Sequence, residues 1–175
     1  MLNNNWYVIT GAFCSGKTTT VAALEKMGYK VVHETARVYI DQKLKEGLTI
    51  QEIRKDEKAF QDKIIEMKIE IEKSLDKQDL LFLDRAVPDT YAYYKLHGIP
   101  INIALKNLLK KCIYKKVFLL DQLPYEFDYA RTETKKQQDK LHELLKGAYQ
   151  QLNFEIVKVP VLPIEERVKL ILKNL

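Results

Sequence analysis

Gly11-Ala12-Phe13-Cys14-Ser15-Gly16-Lys17-Thr18 carries the spacing G-x-x-x-x-G-K-[ST], in which each fixed position answers to a phosphate group. Glycine permits the tight turns that aim successive backbone N–H groups inward. A helix starting at the lysine adds its positive end to the same anion nest. Lys17 then neutralises the β and γ phosphates of a nucleoside triphosphate, and the Thr18 hydroxyl is a ligand for Mg²⁺. Gly11, Ala12, Phe13, Cys14, Ser15, Gly16, Lys17, Thr18 and Thr19 are thus the expected nucleotide cradle. At Cys14 the backbone N–H matters more to such a cradle than the thiol does; a redox switch is the lesser alternative.

Leu80-Leu81-Phe82-Leu83-Asp84 is an apolar run closing on a carboxylate, the arrangement that holds Mg²⁺, often through water, opposite a phosphate-loop threonine. The bland alternative is that Asp84 caps the turn that follows. Arg85 stands where many motor ATPases place a water-orienting glutamate, so phosphoryl transfer is favoured over hydrolysis. Neither an N-K-x-D tetrapeptide after the fourth strand nor a D-x-x-G after any strand is present, which favours ATP over GTP. Beyond Val159 the chain offers room for a single helix, too little for the lid domain and sensor arginine of a remodelling ATPase.

Transfer also requires an acceptor held in line with the γ-phosphate, and cations that gather as charge moves. Glu34 with Arg37 one helical turn later, and Arg85 with Asp89, follow two strand candidates onto the sheet edge where α/β proteins bind ligands. These four are the candidate acceptor-binding residues, with Asp84 or Glu34 as the base. For Arg37 and Asp89 a surface ion pair is the alternative. Asp121 to Lys140 holds Pro124, Tyr125, Phe127, Tyr129, Arg131, Lys135 and Lys136 in a stretch too polar and interrupted for core. It resembles a lid that brings Arg131 to the transferring phosphoryl, the alternative being an ordinary surface loop. Tyr39, Phe60, Tyr91, Tyr93 and Tyr94 could stack on a planar base but fit a core edge better. His33, His97 and His142 fall in different elements and are expected to be structural.

The elements that must position these groups alternate in type. Trp6 to Thr10 is β-prone and ends at a glycine, and Lys17 to Met27 follows as a helix stopped by Gly28. Lys30 to His33 is a second strand candidate, which a right-handed crossover lays parallel to the first. With Leu80–Leu83, Val117–Leu120 and Phe154–Val159, and helical patterns between them, the chain predicts an α/β fold. The expected form is the three-layer phosphate-loop NTPase architecture, a parallel sheet of about five strands with helices on both faces. Thr49 to Lys77 contains 29 residues without Gly or Pro, with Ile53, Phe60, Ile64, Met67, Ile71 and Leu75 at helical steps. It is a long amphipathic helix or a helix pair, its stripe packed on the chain's own core or, alternatively, forming a homodimer seam.

A chain of 175 residues with 46% hydrophobic and 30% charged residues is expected to form one globular domain, which sets aside disordered and fibrous classes. No apolar run approaches the ~18 residues of a membrane span and no leader pattern precedes Trp6, so the cytoplasm is expected. Cys14 and Cys112 support neither a disulfide framework nor a zinc site. The net charge of +5 favours anionic partners. Lys110, Lys111, Lys115 and Lys116 make RNA contact a minor alternative to a solvated face.

Beyond the loop, Glu34-Thr35-Ala36-Arg37, Asp84-Arg85-Ala86-Val87-Pro88-Asp89-Thr90-Tyr91-Ala92-Tyr93-Tyr94 and Phe127-Asp128-Tyr129-Ala130-Arg131-Thr132-Glu133 together resemble one family. This is the AAA-like P-loop ATPase/kinase family that includes the nicotinamide riboside kinase domain of NadR-type proteins. The resemblance implies a nucleoside-kinase-like fold, ATP and Mg²⁺, with Asp84 and Arg85 near the acceptor and Arg131 in a lid. Gly11-Ala12-Phe13-Cys14 departs from the Gly-Gly-Glu-Ser opening of the riboside kinases, so the resemblance names no acceptor. The expectation is a kinase for a small hydroxylated acceptor, a nucleoside or nucleotide; the alternative is a nucleotide-binding ATPase or regulatory switch, with or without an RNA partner.

Overall fold

The computed structural model describes residues 4–124 and 134–175. Its strands are β1 (Trp6–Thr10), β2 (Lys30–Val32), β3 (Leu81–Asp84), β4 (Lys116–Leu120) and β5 (Ile156–Val159). They form one five-stranded, wholly parallel sheet in the order β2-β3-β1-β4-β5. Parallel strands require crossovers, and these place helices on both faces, so the central strands are apolar without interruption. All five residues of β1 are buried.

Alternation sorts those residues between two cores. Tyr7 and Ile9 point to one face with Phe82, where they meet Val21 and Leu24 of α1 (Lys17–Lys26) and Val168 and Ile171 of α8 (Ile164–Lys173). Trp6 and Val8 point to the other with Leu81 and Leu83, against Tyr149 of α7 (Lys135–Gln151). There Ala92 and Leu96 of α5 (Val87–Leu96) pack on Leu141, Leu145 and Ala148 of α7. Each fully buried Leu or Phe contributes about 1.5–3 kcal/mol, which gives the sheet edge above a rigid floor.

The Gly-free stretch from Thr49 resolves into a helix pair, α3 (Ile50–Ile53) and α4 (Glu57–Ser74). Asp56 separates them because its side chain caps α4, accepting from Ala59 N at 2.9 Å. Phe60 and Ile64 of the stripe are buried against Ile40 of α2 (Thr35–Lys45). Val87 and Tyr94 hold α6 (Ile103–Leu109) through Leu105 and Leu109.

One boundary differs from the sequence reading. The stretch from Asp121 to Lys140 is not continuous loop, since Lys135 to Lys140 already belong to α7. Thr134 and Gln137 form a capping box there, with Thr134 N donating to Gln137 Oε1 at 2.7 Å, and a helix start so capped outweighs the polarity of the segment. Residues 125–133, with Tyr125, Phe127, Tyr129 and Arg131, lie outside the described residues.

Candidate functional site

The loop between β1 and α1 is built as a nest. Gly11 has φ 151° and passes so close to β4 that a Cβ there would stand 2.7 Å from Leu120 O. Gly16 caps α1 at φ 73°, and a Cβ on it would collide with the Arg167 guanidinium. Cys14 is left-handed at φ 53° without being glycine, a strain of about 1–2 kcal/mol that the surroundings must hold in place.

The loop's carbonyls are engaged in series. Ala12 O accepts from Lys17 Nζ and from Ser15 Oγ, both at 2.8 Å. Phe13 O accepts from Gln138 Nε2 at 2.8 Å, Cys14 O from Leu123 N at 2.7 Å, and Ser15 O from Arg167 Nη1 at 3.2 Å. Gly16 O accepts from Thr20 N at 3.1 Å and Thr19 Oγ1 at 2.8 Å. Across a trans peptide the C=O and the next N–H point in opposite directions, so each fastened carbonyl turns the N–H that follows it away from the carbonyl's own donor.

Asp84 ends β3 opposite Ile9, one strand from the loop. It is 3% exposed, and its Oδ1 lacks a hydrogen-bond partner among the described residues. Burial pushes its carboxyl up to about 6, with Glu34 adding to the rise and Lys17 and Arg85 opposing it. A buried carboxylate with an orphaned oxygen, beside a lysine and sharing a cavity with the exposed Thr18, suits a hydrated divalent cation. Among the described residues no group of three His, Cys, Asp or Glu is arranged to hold a metal ion by itself. A phosphate-loop Mg²⁺ needs none, because waters and substrate phosphates complete its shell.

A cavity of about 730 Å³ runs from this loop towards α4. Glu34, just before α2, and Arg85, just after β3, meet in its wall with Arg85 Nε donating to Glu34 Oε1 at 3.0 Å. Burial would raise the Glu34 carboxyl, but Arg85, Lys17, Lys68 and Arg37 outweigh it and hold it below the usual carboxylate range. Arg85 has φ 68°, its guanidinium stands 5.3 Å over the Tyr93 ring, and its Nη1 donates to Asp89 Oδ1 at 3.3 Å. Left-handed backbone in a non-glycine residue wedged among three partners marks a place where position outranks comfort.

Lys17, Thr18, Thr19, Glu34, Arg37, Asp84 and Arg85 all line the cavity, as do Phe13, Cys14, Ser15 and Gly16 of the loop. Asp89 does not. It is fully buried behind Arg85, with Ala86 N donating to it at 2.9 Å and the hydroxyls of Thr10 and Tyr149 bound to it as well. Of the five aromatics considered for stacking, Phe60 and Tyr93 face the cavity, whereas Tyr94 turns its hydroxyl to Asp62. His33 pairs with Glu25 at 3.2 Å, and His97 stacks on Tyr93, 6.3 Å between centroids.

The structure adds residues that sequence reasoning missed. Lys68 is buried in the cavity wall, donating to Ala86 O at 2.9 Å and Thr90 Oγ1 at 3.2 Å, and burial pulls its ammonium below the usual lysine range. At the far end Glu57 accepts a bidentate pair from Arg54, at 3.0 and 2.9 Å, and an amide N–H from Gln61 at 2.9 Å. A buried Lys and Gln on the apolar side of α4, one turn either side of Ile64, were the available signal.

A parallel sheet in this order, with a glycine loop after its first strand and a carboxylate closing its third, defines the phosphate-loop NTPase fold in its nucleoside- and nucleotide-kinase-like form. Residues 6–167 match the AAA domain family, and the chain belongs to it. No curated protein matches the chain. Among solved structures it is similar to deoxyadenosine kinase from M. mycoides with the products dCMP and dCDP bound, at TM-score 0.65 and 16% identity over 97% of each chain. The NadR protein in complex with NR aligns at TM-score 0.69 and 18% identity, over 90% of this chain and 44% of that one. Thymidylate kinase from Candida albicans aligns at TM-score 0.67 and 17% identity, over 98% and 91%. Among the described residues no helix is long and apolar enough to cross a membrane.

Proposed function

We propose that this chain is a single-domain, ATP- and Mg²⁺-dependent phosphotransferase that moves the γ-phosphate to a hydroxyl of a small acceptor, a nucleoside or nucleotide. The carrying observation is that the cavity does not end at the phosphate loop. It continues past Glu34 and Arg85 to Phe60, Gln61 and Arg54, a compartment that a hydrolase attacking with water has no need of. The three solved relatives named above share the fold, and two of them are named as kinases.

Lys17 and the loop amides bind the β and γ phosphates. Thr18 and Asp84 would hold Mg²⁺, which neutralises charge on the phosphate oxygens. Glu34, ionised at neutral pH beside Arg85, accepts the proton of the acceptor hydroxyl. As the new O–P bond forms, the bond from the γ-phosphorus to the β–γ bridging oxygen breaks and ADP leaves. Arg85, held between Glu34 and Asp89, keeps the base and the acceptor in register, and Arg37 lies on the acceptor side; Arg131, outside the described residues, is the proposed cation for the transferring phosphoryl. Asp89 acts through Arg85 instead of touching the acceptor.

The test is incubation with γ-phosphate-labelled ATP, Mg²⁺ and pooled nucleosides, nucleotides and sugars, with Lys17→Ala as blank. Label in a new organic product is expected. Label confined to inorganic phosphate would overturn the proposal in favour of an ATPase.

A further inference from the structure

Two of the donors that fasten the phosphate loop come from side chains remote in sequence. Gln138 of α7 reaches Phe13 O across 125 residues of chain, and Arg167 of α8 reaches Ser15 O across 152. Both are buried, Gln138 completely, and the cavity is lined by Phe13, Ser15 and Gly16 of the loop and not by either of them. Arg167 is further fixed by Nε donating to Leu162 O at 2.7 Å, in the turn after β5. Its Nη1 occupies the space that a side chain on Gly16 would need.

Core packing does not explain these two residues. Arg167 is buried, its guanidinium bonds two backbone carbonyls, and among the described residues it makes no ion pair. A buried cation bonded only to neutral carbonyls is better stabilised with an anion nearby. Its potential falls on the loop from behind Gly16, adding to the field of the α1 N-terminus. Gln138 supplies no charge, only an amide that fixes the direction of the Phe13 peptide plane.

We propose that Arg167 and Gln138 are positioning residues for the nucleotide phosphates. By holding the Phe13 and Ser15 carbonyls outward they aim the N–H groups of Cys14 and Gly16 into the nest, and Arg167 adds positive charge behind it. The inference rests on the proposed reading of this loop as the site of the ATP phosphates.

Calorimetric titration with inorganic tripolyphosphate and with ATP, each with Mg²⁺, separates the possibilities, because tripolyphosphate reports the nest without a base or sugar. Arg167→Gln is expected to weaken both ligands in parallel by about tenfold or more, as for loss of a charge-assisted hydrogen bond. Gln138→Leu, nearly isosteric and uncharged, should weaken both by a smaller factor, and the KM for the acceptor should not change in either variant. Arg167→Lys keeps the charge but cannot span Leu162 O and Ser15 O together, so partial recovery is expected. A cooperatively folded Arg167→Gln protein that binds tripolyphosphate as tightly as wild type overturns the inference. Should that variant not fold, wild-type affinity in Arg167→Lys overturns the bridging role. Lys17→Ala is the control that tells the two readings apart. If it alone loses tripolyphosphate, only the inference on Arg167 and Gln138 fails; if it too binds normally, the loop is not a phosphate site and the proposed function fails with it.

Discussion

Arg85 and Glu34 stand 51 residues apart in the chain and meet at 3.0 Å, the arginine Nε donating to the glutamate Oε1 inside the cavity. The contact joins the ends of β2 and β3, adjacent strands of the sheet, and holds the proposed base ionised where the acceptor must lie.

Glu34→Gln keeps an oxygen for Arg85 Nε but removes the base. Steady-state kinetics should show kcat lower by about 10²–10⁴-fold, while the ATP Kd stays close to wild type. A kcat unchanged in this variant would assign the proton to another group.

Asp84→Asn should abolish turnover and yet stabilise the free protein. The folded carboxyl titrates near 6 against an ordinary value of 3.8, so the native state holds its proton more tightly than the unfolded chain does. Its stabilising contribution is complete below about pH 4 and is lost as pH rises through 6. At pH 8 without nucleotide or Mg²⁺, the asparagine variant should therefore gain on the order of 1–3 kcal/mol over wild type. Thermal melts at pH 4 and pH 8 check this, and a gain no larger at pH 8 than at pH 4 would contradict it.

Gly11→Ala should disrupt the loop and destabilise the fold together. The added Cβ would press on Leu120 O at 2.7 Å and on Ser15 Oγ at 2.9 Å from a backbone at φ 151°. We expect a loss of about 1–3 kcal/mol in urea unfolding, with ATP affinity falling alongside.

Asp89→Ala tests the buried anchor. The carboxylate serves Arg85, Ala86 N, Thr10 and Tyr149 at once, and its removal leaves a buried cation half-compensated. Chemical denaturation should report about 3–5 kcal/mol of lost stability, a larger effect than for Glu34→Gln, whose side chain is a quarter exposed.

Much of the nucleotide half of the site was legible because its code is local. The eight residues from Gly11 to Thr18 are contiguous, and Asp84 closes an unbroken apolar run, so strand, loop and carboxylate declare themselves without long-range information. The proposed acceptor half was legible only at strand ends. Glu34 and Arg85 were readable because topology sends the carboxyl ends of parallel strands to one edge, whereas Asp89, one helical turn further on, was aimed by packing into the interior. Arg131 lies among residues 125–133, outside the described residues.

By itself, then, the sequence determined the five strands and their order along the chain, the glycine loop and the carboxylate that closes the third strand, since each depends on residues adjacent in the chain or on their periodicity. Only the tertiary structure decided that Lys68, Gln61 and Arg54 line the cavity, that Asp89 stands behind Arg85, and that Gln138 and Arg167 brace the loop. A lone lysine, glutamine or arginine on an amphipathic helix has the same spacing whether it meets solvent, core or a distant carbonyl. Which of these it meets is settled by contacts spanning as many as 152 residues, and no local pattern encodes a contact of that span.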